Sequence, residues 1–353
     1  MQDIFNMTEV EVSGSIHFLH MENIVVEEKV NEHGKMTVSG IIEEKRKEEI
    51  LNNSLIGSGI SLYSRKQERP LFSGIIDEVS FSEVGKLCCV EVICSSYTRL
   101  WDRKKASHSF QDAAMRYRDV LQRAVQYSDV HGRLLVTAEQ MKEEIHYPIL
   151  QFEETLWEFI KRIAGQCKTV VIPEVTYALP QLCVGCIRGT KYELTQVFDY
   201  QEMLNLDAFR RSSGRKEKGS YISYQVKCQE NFELGDRVVF KGKELRVMQK
   251  ELRLNGGYLE GKYCLGSEEE FCVTGEGNKK MQGISLQGIV TDRKEGMVKV
   301  HLDIDREQKN EEAFWYPYTP VTGNMLYSVP ECGSRILLTI MDMEGHASVS
   351  GCI

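Results

Sequence analysis

Gln151-Phe152-Glu153-Glu154-Thr155-Leu156-Trp157-Glu158-Phe159-Ile160-Lys161-Arg162-Ile163-Ala164 is the stretch on which the reading of this chain turns. Leu156, Phe159, Ile160, Ile163 and Ala164 recur at i, i+3, i+4, i+7 and i+8, the spacing that lines one face of a helix. Glu153 and Glu154 fall in its expected first turn and Lys161 and Arg162 towards its end, each sign complementing the helix dipole. Gly165 is the expected terminator. Phe159 belongs to the apolar stripe, and Trp157 lies off it.

On the N-terminal side, a weaker helical spacing runs through Phe110, Ala114, Tyr117, Leu121 and Val125, with Ser109 or Asp112 available to cap. Before that, residues 8–105 read as β. Candidate strands at 58–63, 71–81 and 87–95 are separated by turns such as Glu83-Val84-Gly85-Lys86. On the C-terminal side strands resume at 170–173, 181–188 and 192–200. They continue at 221–228, 237–240, 245–254 and 258–265, with Leu234-Gly235-Asp236 and Asn255-Gly256-Gly257 as hairpin punctuation. The polar run 210–219 reads as a loop, and the Gly- and Lys-rich 274–283 as a linker. Five further candidate strands, at 285–291, 297–303, 313–318, 334–341 and 346–352, are the number and size of an OB-type barrel. Short strands broken by one helical segment predict a mainly β, α+β chain.

The bulk numbers exclude several classes of function. With 353 residues the chain has room for several domains, and 42% hydrophobic against 27% charged residues describes folded, soluble material. A net charge of −8 disfavours nucleic acid and anionic membrane surfaces, both of which need clustered Lys and Arg. The 284–353 segment, with 6 Lys/Arg against 10 Asp/Glu, makes a poor phosphate groove despite Phe314, Trp315, Tyr316 and Tyr318. Asp3, Glu9 and Glu11 stand where a secretory signal would be basic, which predicts assembly in the cytoplasm. No apolar run has the length of a membrane span, so no membrane anchor is expected.

The usual catalytic constellations are missing from the sequence. It has no G-x-S-x-G elbow, no phosphate loop and no H-E-x-x-H helix. Adjacent carboxylates such as Glu143/Glu144 and Glu153/Glu154 diverge on a helix and do not make a glycosidase pair. Eleven cysteines are scattered, several in apolar runs where a reduced thiol behaves as a small hydrophobe. Cys183 and Cys186 form the one C-x-x-C. Without a second pair, and with Leu182, Val184 and Ile187 as neighbours, they are expected to pack rather than to bind metal. No catalytic residue, metal or cofactor is expected.

Two stretches resemble the VgrG-type spikes and the hub proteins of contractile phage tails. The 151–164 segment resembles their helix in its aromatic–acidic–Thr opening and its Phe-x-x-Arg-aliphatic close. The run from Trp315 to Ile353 is similar to their spike OB domain: an aromatic Trp start, a Gly turn at Thr322-Gly323-Asn324, then Val329-Pro330-Glu331-Cys332-Gly333-Ser334 leading into a strand. The order of parts agrees as well, with Phe72-Ser73-Gly74-Ile75-Ile76 in the first β unit. Met343-Glu344-Gly345-His346 departs from the family, which usually has a Gly-Asp-Pro type turn there.

The resemblance implies a particular architecture and role. It gives hub β-barrel I over 1–107, a helical α+β insertion over 108–195, hub β-barrel II over 196–273, a linker over 274–283 and an OB-fold spike base over 284–353. The role would be that of a non-enzymatic hub and spike subunit in a phage tail-like or type VI-like injection system. It would work as a homotrimer whose two barrels per copy match a sixfold inner tube. Partners would be inner tube and baseplate proteins and a PAAR-like tip protein or effector, with delivery outside the cell on firing. Trp157, Phe159, Trp315, Gly323, Pro330 and Gly333 become the candidate structural and interface residues, with Trp157 expected to face another subunit. Spikes of this family usually continue into a β-helical needle. The residues up to Ile353 do not include it, so the needle is expected to be absent, left out of this stretch or carried by another polypeptide. Other classes consistent with the residues are a trimeric β-rich glycan- or receptor-binding protein and a spike with lysozyme-like activity.

Overall fold

In a computed structural model of the chain, residues 5–52, 55–186, 190–211, 217–319 and 329–353 are described. The protein is mainly β, and its contacts divide it into two compact units. The larger comprises Met1–Trp101, Asp129–Ala138 and Lys168–Val273; the smaller comprises Asp102–Ser128, Glu139–Cys167 and Thr274–Ile353. Residues expected to form one insertion, 108–195, are thus shared between both.

The larger unit is built on a 13-stranded sheet. Its N-terminal half runs through Val10–Gly14, Gly59–Ser64, Arg69–Val84, Leu87–Ser96, Lys35–Ile42 and His20–Lys29 in spatial order. Alternation sets the buried face. In Lys35–Ile42 the residues Met36, Val38, Gly40 and Ile42 turn inward and their neighbours outward. Met36, Val38 and Ile42 join Ile24, Val26, Phe72 and Val92 in one core cluster. In the motif around Gly74, a Cβ would lie 2.5 Å from the Ser95 carbonyl oxygen, so only glycine fits there. The C-terminal half contributes Asp199–Leu204, Ile222–Cys228, Tyr258–Gly266, Lys243–Asn255 and Arg237–Phe240. Its separate core includes Val226, Phe232, Val238, Val247, Tyr263 and Leu265.

The two β halves, each with its own core, are joined edge to edge in one sheet. The long strand Lys243–Asn255 divides its length between partners. Its first residues pair with Arg237–Phe240, and Gln249–Arg253 pair antiparallel with Val25–Lys29 of the N-terminal half. A bulge between Val247 and Gln249 on the face towards Tyr258–Gly266 marks the changeover. Among the elements that were not anticipated is the charged helix Glu44–Asn52, which buries no residue and rests Ile50 on the N-terminal core.

In the smaller unit, five strands run in the order Trp315–Pro317, Met297–Leu302, Ser285–Lys294, Arg335–Ile340 and Ala347–Cys352. A bridge between Tyr318 and Val349 links the first strand to the last, closing a small barrel around Val298, Val300, Tyr316, Ile336, Leu338 and Ile340. Onto it pack the antiparallel strand pair Lys105–Phe110 and Ile149–Thr155 and the helices Tyr117–Tyr127 and Leu156–Gln166. The supposed linker 274–283 is part of this packing. Met281 is fully buried, and Asn278 donates to the Phe152 carbonyl at 2.8 Å.

Both helices begin later than periodicity predicts. Residues 149–155 are strand, so Glu153 and Glu154 precede the helix, and Thr155 caps it reciprocally with Glu158. Gly165 lies within the helix, and Lys168 takes the left-handed position after it, at φ 51°. The other helix opens at Tyr117 after Arg116, with Asp119 closing back on the Arg116 amide; Ser109 and Phe110 are strand and Asp112 is not its cap.

Candidate functional site

The candidate interface residues fall into three settings. Phe159 is fully buried, and its ring stacks on Phe110 at 5.6 Å, with Tyr127 on Phe110 in turn. Trp157 is also buried, at 4% exposure, which corrects the expectation that it faces another subunit. Only Glu158, Lys161 and Gln166 of this helix are not buried, so leaving the apolar stripe does not bring a side chain to solvent. Trp315 is half-buried under two ammonium groups, Lys294 at 4.4 Å and Lys299 at 5.1 Å from its ring centre. Pro330 is buried, and Gly333 takes φ +87° at a turn where its amide donates to the Val290 carbonyl. Gly323 lies outside the described residues, as do Thr322, Asn324 and residues 212–216 of the polar run at 210–219.

Cys183 and Cys186 pack against the C-terminal core of the larger unit. Burial pushes the Cys183 thiol up to about 11 and drives Cys186 higher still, so both are neutral hydrophobes at physiological pH. Ile187 lies outside the described residues. Among the described residues no group of three or more His, Cys, Asp or Glu side chains could hold a metal ion. No described helix is long and apolar enough to cross a membrane.

The concentrated polar chemistry lies where sequence analysis did not look. Glu28 and Lys250 sit opposite each other where the two halves of the large sheet pair. Lys250 lies 3.3 Å from Glu28 and 2.6 Å from Glu233, and Arg69 meets the other Glu233 oxygen at 2.8 Å. Burial works against the Lys250 charge, but Glu233 and Glu28 outweigh it and its pKa rises. Burial would raise Glu233 too; Lys250 and Arg69 prevail and hold it low. A signal existed in the sequence: Glu28 has the parity of buried Ile24 and Val26, and Lys250 that of Met248 and Leu252. A charge on the apolar face of two strands demands a partner.

In the smaller unit the corresponding joints are Glu154–Arg162 and Asp305. Arg162 forks onto both Glu154 oxygens at 2.8 and 2.9 Å, with both residues buried. Asp305 accepts the Ser109 amide at 2.7 Å and the Ser109 hydroxyl, and burial raises its pKa. Gln111 donates to the Val300 carbonyl and Arg123 pairs with Glu312, so the hairpin and helix are tied to the barrel by side chains. At the divergent turn, Asp342 accepts the amides of Glu344, Gly345 and His346. These are arrangements for holding parts rigidly.

No family model matches the chain, and no curated protein matches it. Several solved structures do. The E. coli protein c3393, described as a component of the type VI secretion system with structural similarity to the T4 bacteriophage tail proteins gp27 and gp5, matches with a TM-score of 0.67 at 12% identity, over 97% of this chain and 100% of that one. A chain of the half-lidded Francisella PdpA–VgrG complex matches at 0.59 and 8% identity, over 100% of this chain and 78% of that one. The 43 kDa tail protein of prophage MuSo2 from Shewanella oneidensis matches at 0.56 and 8% identity, over 76% of this chain and 99% of that one. Likeness at such identities is one of fold, and the fold of this chain is the one it shares with c3393, the VgrG complex and the prophage tail protein.

Proposed function

We propose that this chain is a structural hub and spike-base subunit of a contractile injection system, working as a homotrimer that joins a sixfold inner tube to a threefold spike. The observation that carries this reading is the end-to-end likeness to c3393, which spans nearly all of both chains. The large sheet, drawn from strands within 5–96 and 191–266, is the hub. The barrel of 284–353 is the spike base and carries the two helices with it. The reading assigns the chain no catalysis, metal or cofactor. Its partners are two further copies of itself, tube and baseplate proteins and a tip protein or effector, and it is assembled in the cytoplasm and expelled on firing.

The edges of the large sheet suit this role. Val10–Gly14 and Asp199–Leu204 end the main strand order, and among the described residues each pairs with a single neighbour. Phe198, Tyr200 and Leu204 are exposed at the second edge. Two unlike free edges on one subunit fit a head-to-tail ring, which is also how a protein avoids leaving them open to aggregation. Light scattering on the purified chain and electron microscopy of assembled particles test the proposal. A mass of three times 40.5 kDa and a threefold ring are expected. A particle holding the chain as monomer or dimer overturns it.

A further inference from the structure

Glu28 is 4% exposed and Lys250 2%, and they face each other across the pairing of Val25–Lys29 with Gln249–Arg253. The cluster holds two carboxylates and two cations, but its hydrogen bonds are unevenly shared. Lys250 and Arg69 both donate to Glu233. Glu28 Oε1 lies 3.3 Å from the Lys250 ammonium, receives no hydrogen bond, and is shut away from solvent. A buried carboxylate oxygen without a donor is costly when ionised and much less so when neutral. It sits in one of the strand pairings that join the halves of the sheet.

We propose that Glu28 is a proton-operated catch in this seam: neutral, it lets the two strands close on each other, and ionised, it loosens their pairing. Charged and titratable groups surround it on several elements, and His33, Glu32, Lys29, Lys35, Glu251 and Lys262 line the same cleft. Lys250 lies opposite, and Glu233 lies behind Lys250 with Arg69 attached. Glu174 adds a further carboxylate field, and Tyr263 and Asp236 flank Lys250 and Glu233. Burial pushes Glu28 up to about 7; Lys250 pulls it back, and the Glu233 and Glu174 carboxylates add to the push. Because the folded value lies above the unfolded one, the contribution of Glu28 is complete below the ordinary carboxylate range and is lost as pH rises through about 7. Glu233, held low, stays ionised through that window.

The proposal is independent of the hub reading, and amide hydrogen exchange on the full chain tests it. Protection factors for residues 25–29 and 249–253 should be roughly tenfold or more higher at pH 5.5 than at pH 8. Amides of Met297–Leu302 in the other unit serve as the internal reference. Glu28→Gln, a permanently neutral isostere, should hold the high protection at both pH values, whereas Glu27→Gln on the exposed side should keep the wild-type profile. Equal protection of the wild-type seam at both pH values overturns the proposal, as does a pH dependence that survives in Glu28→Gln. Failure of Glu28→Gln to fold also overturns it, since that variant mimics the state held to be the tighter one.

Discussion

The two compact units bury ion pairs of different construction. In the smaller, Glu154 and Arg162 are eight residues apart, and a planar guanidinium meets both carboxylate oxygens. In the larger, Glu28 and Lys250 come from distant parts of the chain, and a point-charge ammonium is shared between two carboxylates, leaving one oxygen of Glu28 without a hydrogen bond. The first arrangement fixes a helix on the strand that precedes it. The second sits where two halves of a sheet pair, at a place where one proton changes the balance. Ion pairs of similar burial therefore differ in what they can do, because geometry decides whether every oxygen has a donor.

Breaking the seam gives the largest expected effect. Lys250→Met leaves Glu28 and Glu233 facing each other with only Arg69 to compensate, and should cost about 5 kcal/mol, the upper end for a broken buried pair. Denaturant unfolding measures it; a loss below about 1 kcal/mol would mean that the seam charges are not effectively buried. Next come the aromatic contacts of the smaller unit. Phe159→Ala should cost about 4 kcal/mol, and Trp157→Ala nearly as much, since both rings are buried. A Trp157→Ala variant as stable as the wild type would restore an outward role for that side chain. The smallest effect sharpens the contrast between polar joints. Ser109→Ala removes the hydroxyl donor to Asp305 but keeps the amide donor, so about 1–3 kcal/mol is expected, well below the seam variant. A cost equal to that of Lys250→Met would place the principal polar joint in the smaller unit instead.

How far each element was legible depended on whether its cause was local. Arg237–Phe240 appears with the boundaries that alternation predicts, and Asn255-Gly256-Gly257 makes the hairpin that its glycines announce, both at positive φ. The five barrel strands stand within a few residues of expectation for the same reason. The helix Leu156–Gln166 was legible in type but not in its start. Thr155 and Glu158 form the capping box that marks its true beginning, a signal present in the sequence but outweighed by the acidic residues before it. Glu153 and Glu154 belong to a strand because Lys105–Phe110 pairs beside them, and no local pattern announces that neighbour.

The sequence by itself determined a mainly β chain, one strong amphipathic helix, a terminal five-stranded barrel and the absence of any familiar catalytic motif. These follow from periodicity, turn residues and composition, which act over a few residues at a time. Only the tertiary structure decided that the two β halves share a sheet, that both helices belong with the barrel, and that Trp157 is covered. It also decided which charges meet: Glu28 and Lys250 are each unremarkable in sequence and become a pair because Gln249–Arg253 lies against Val25–Lys29. Pairing between strands so far apart in the chain depends on which edges and faces remain unsatisfied once local structure has formed, and that is a property of the whole fold.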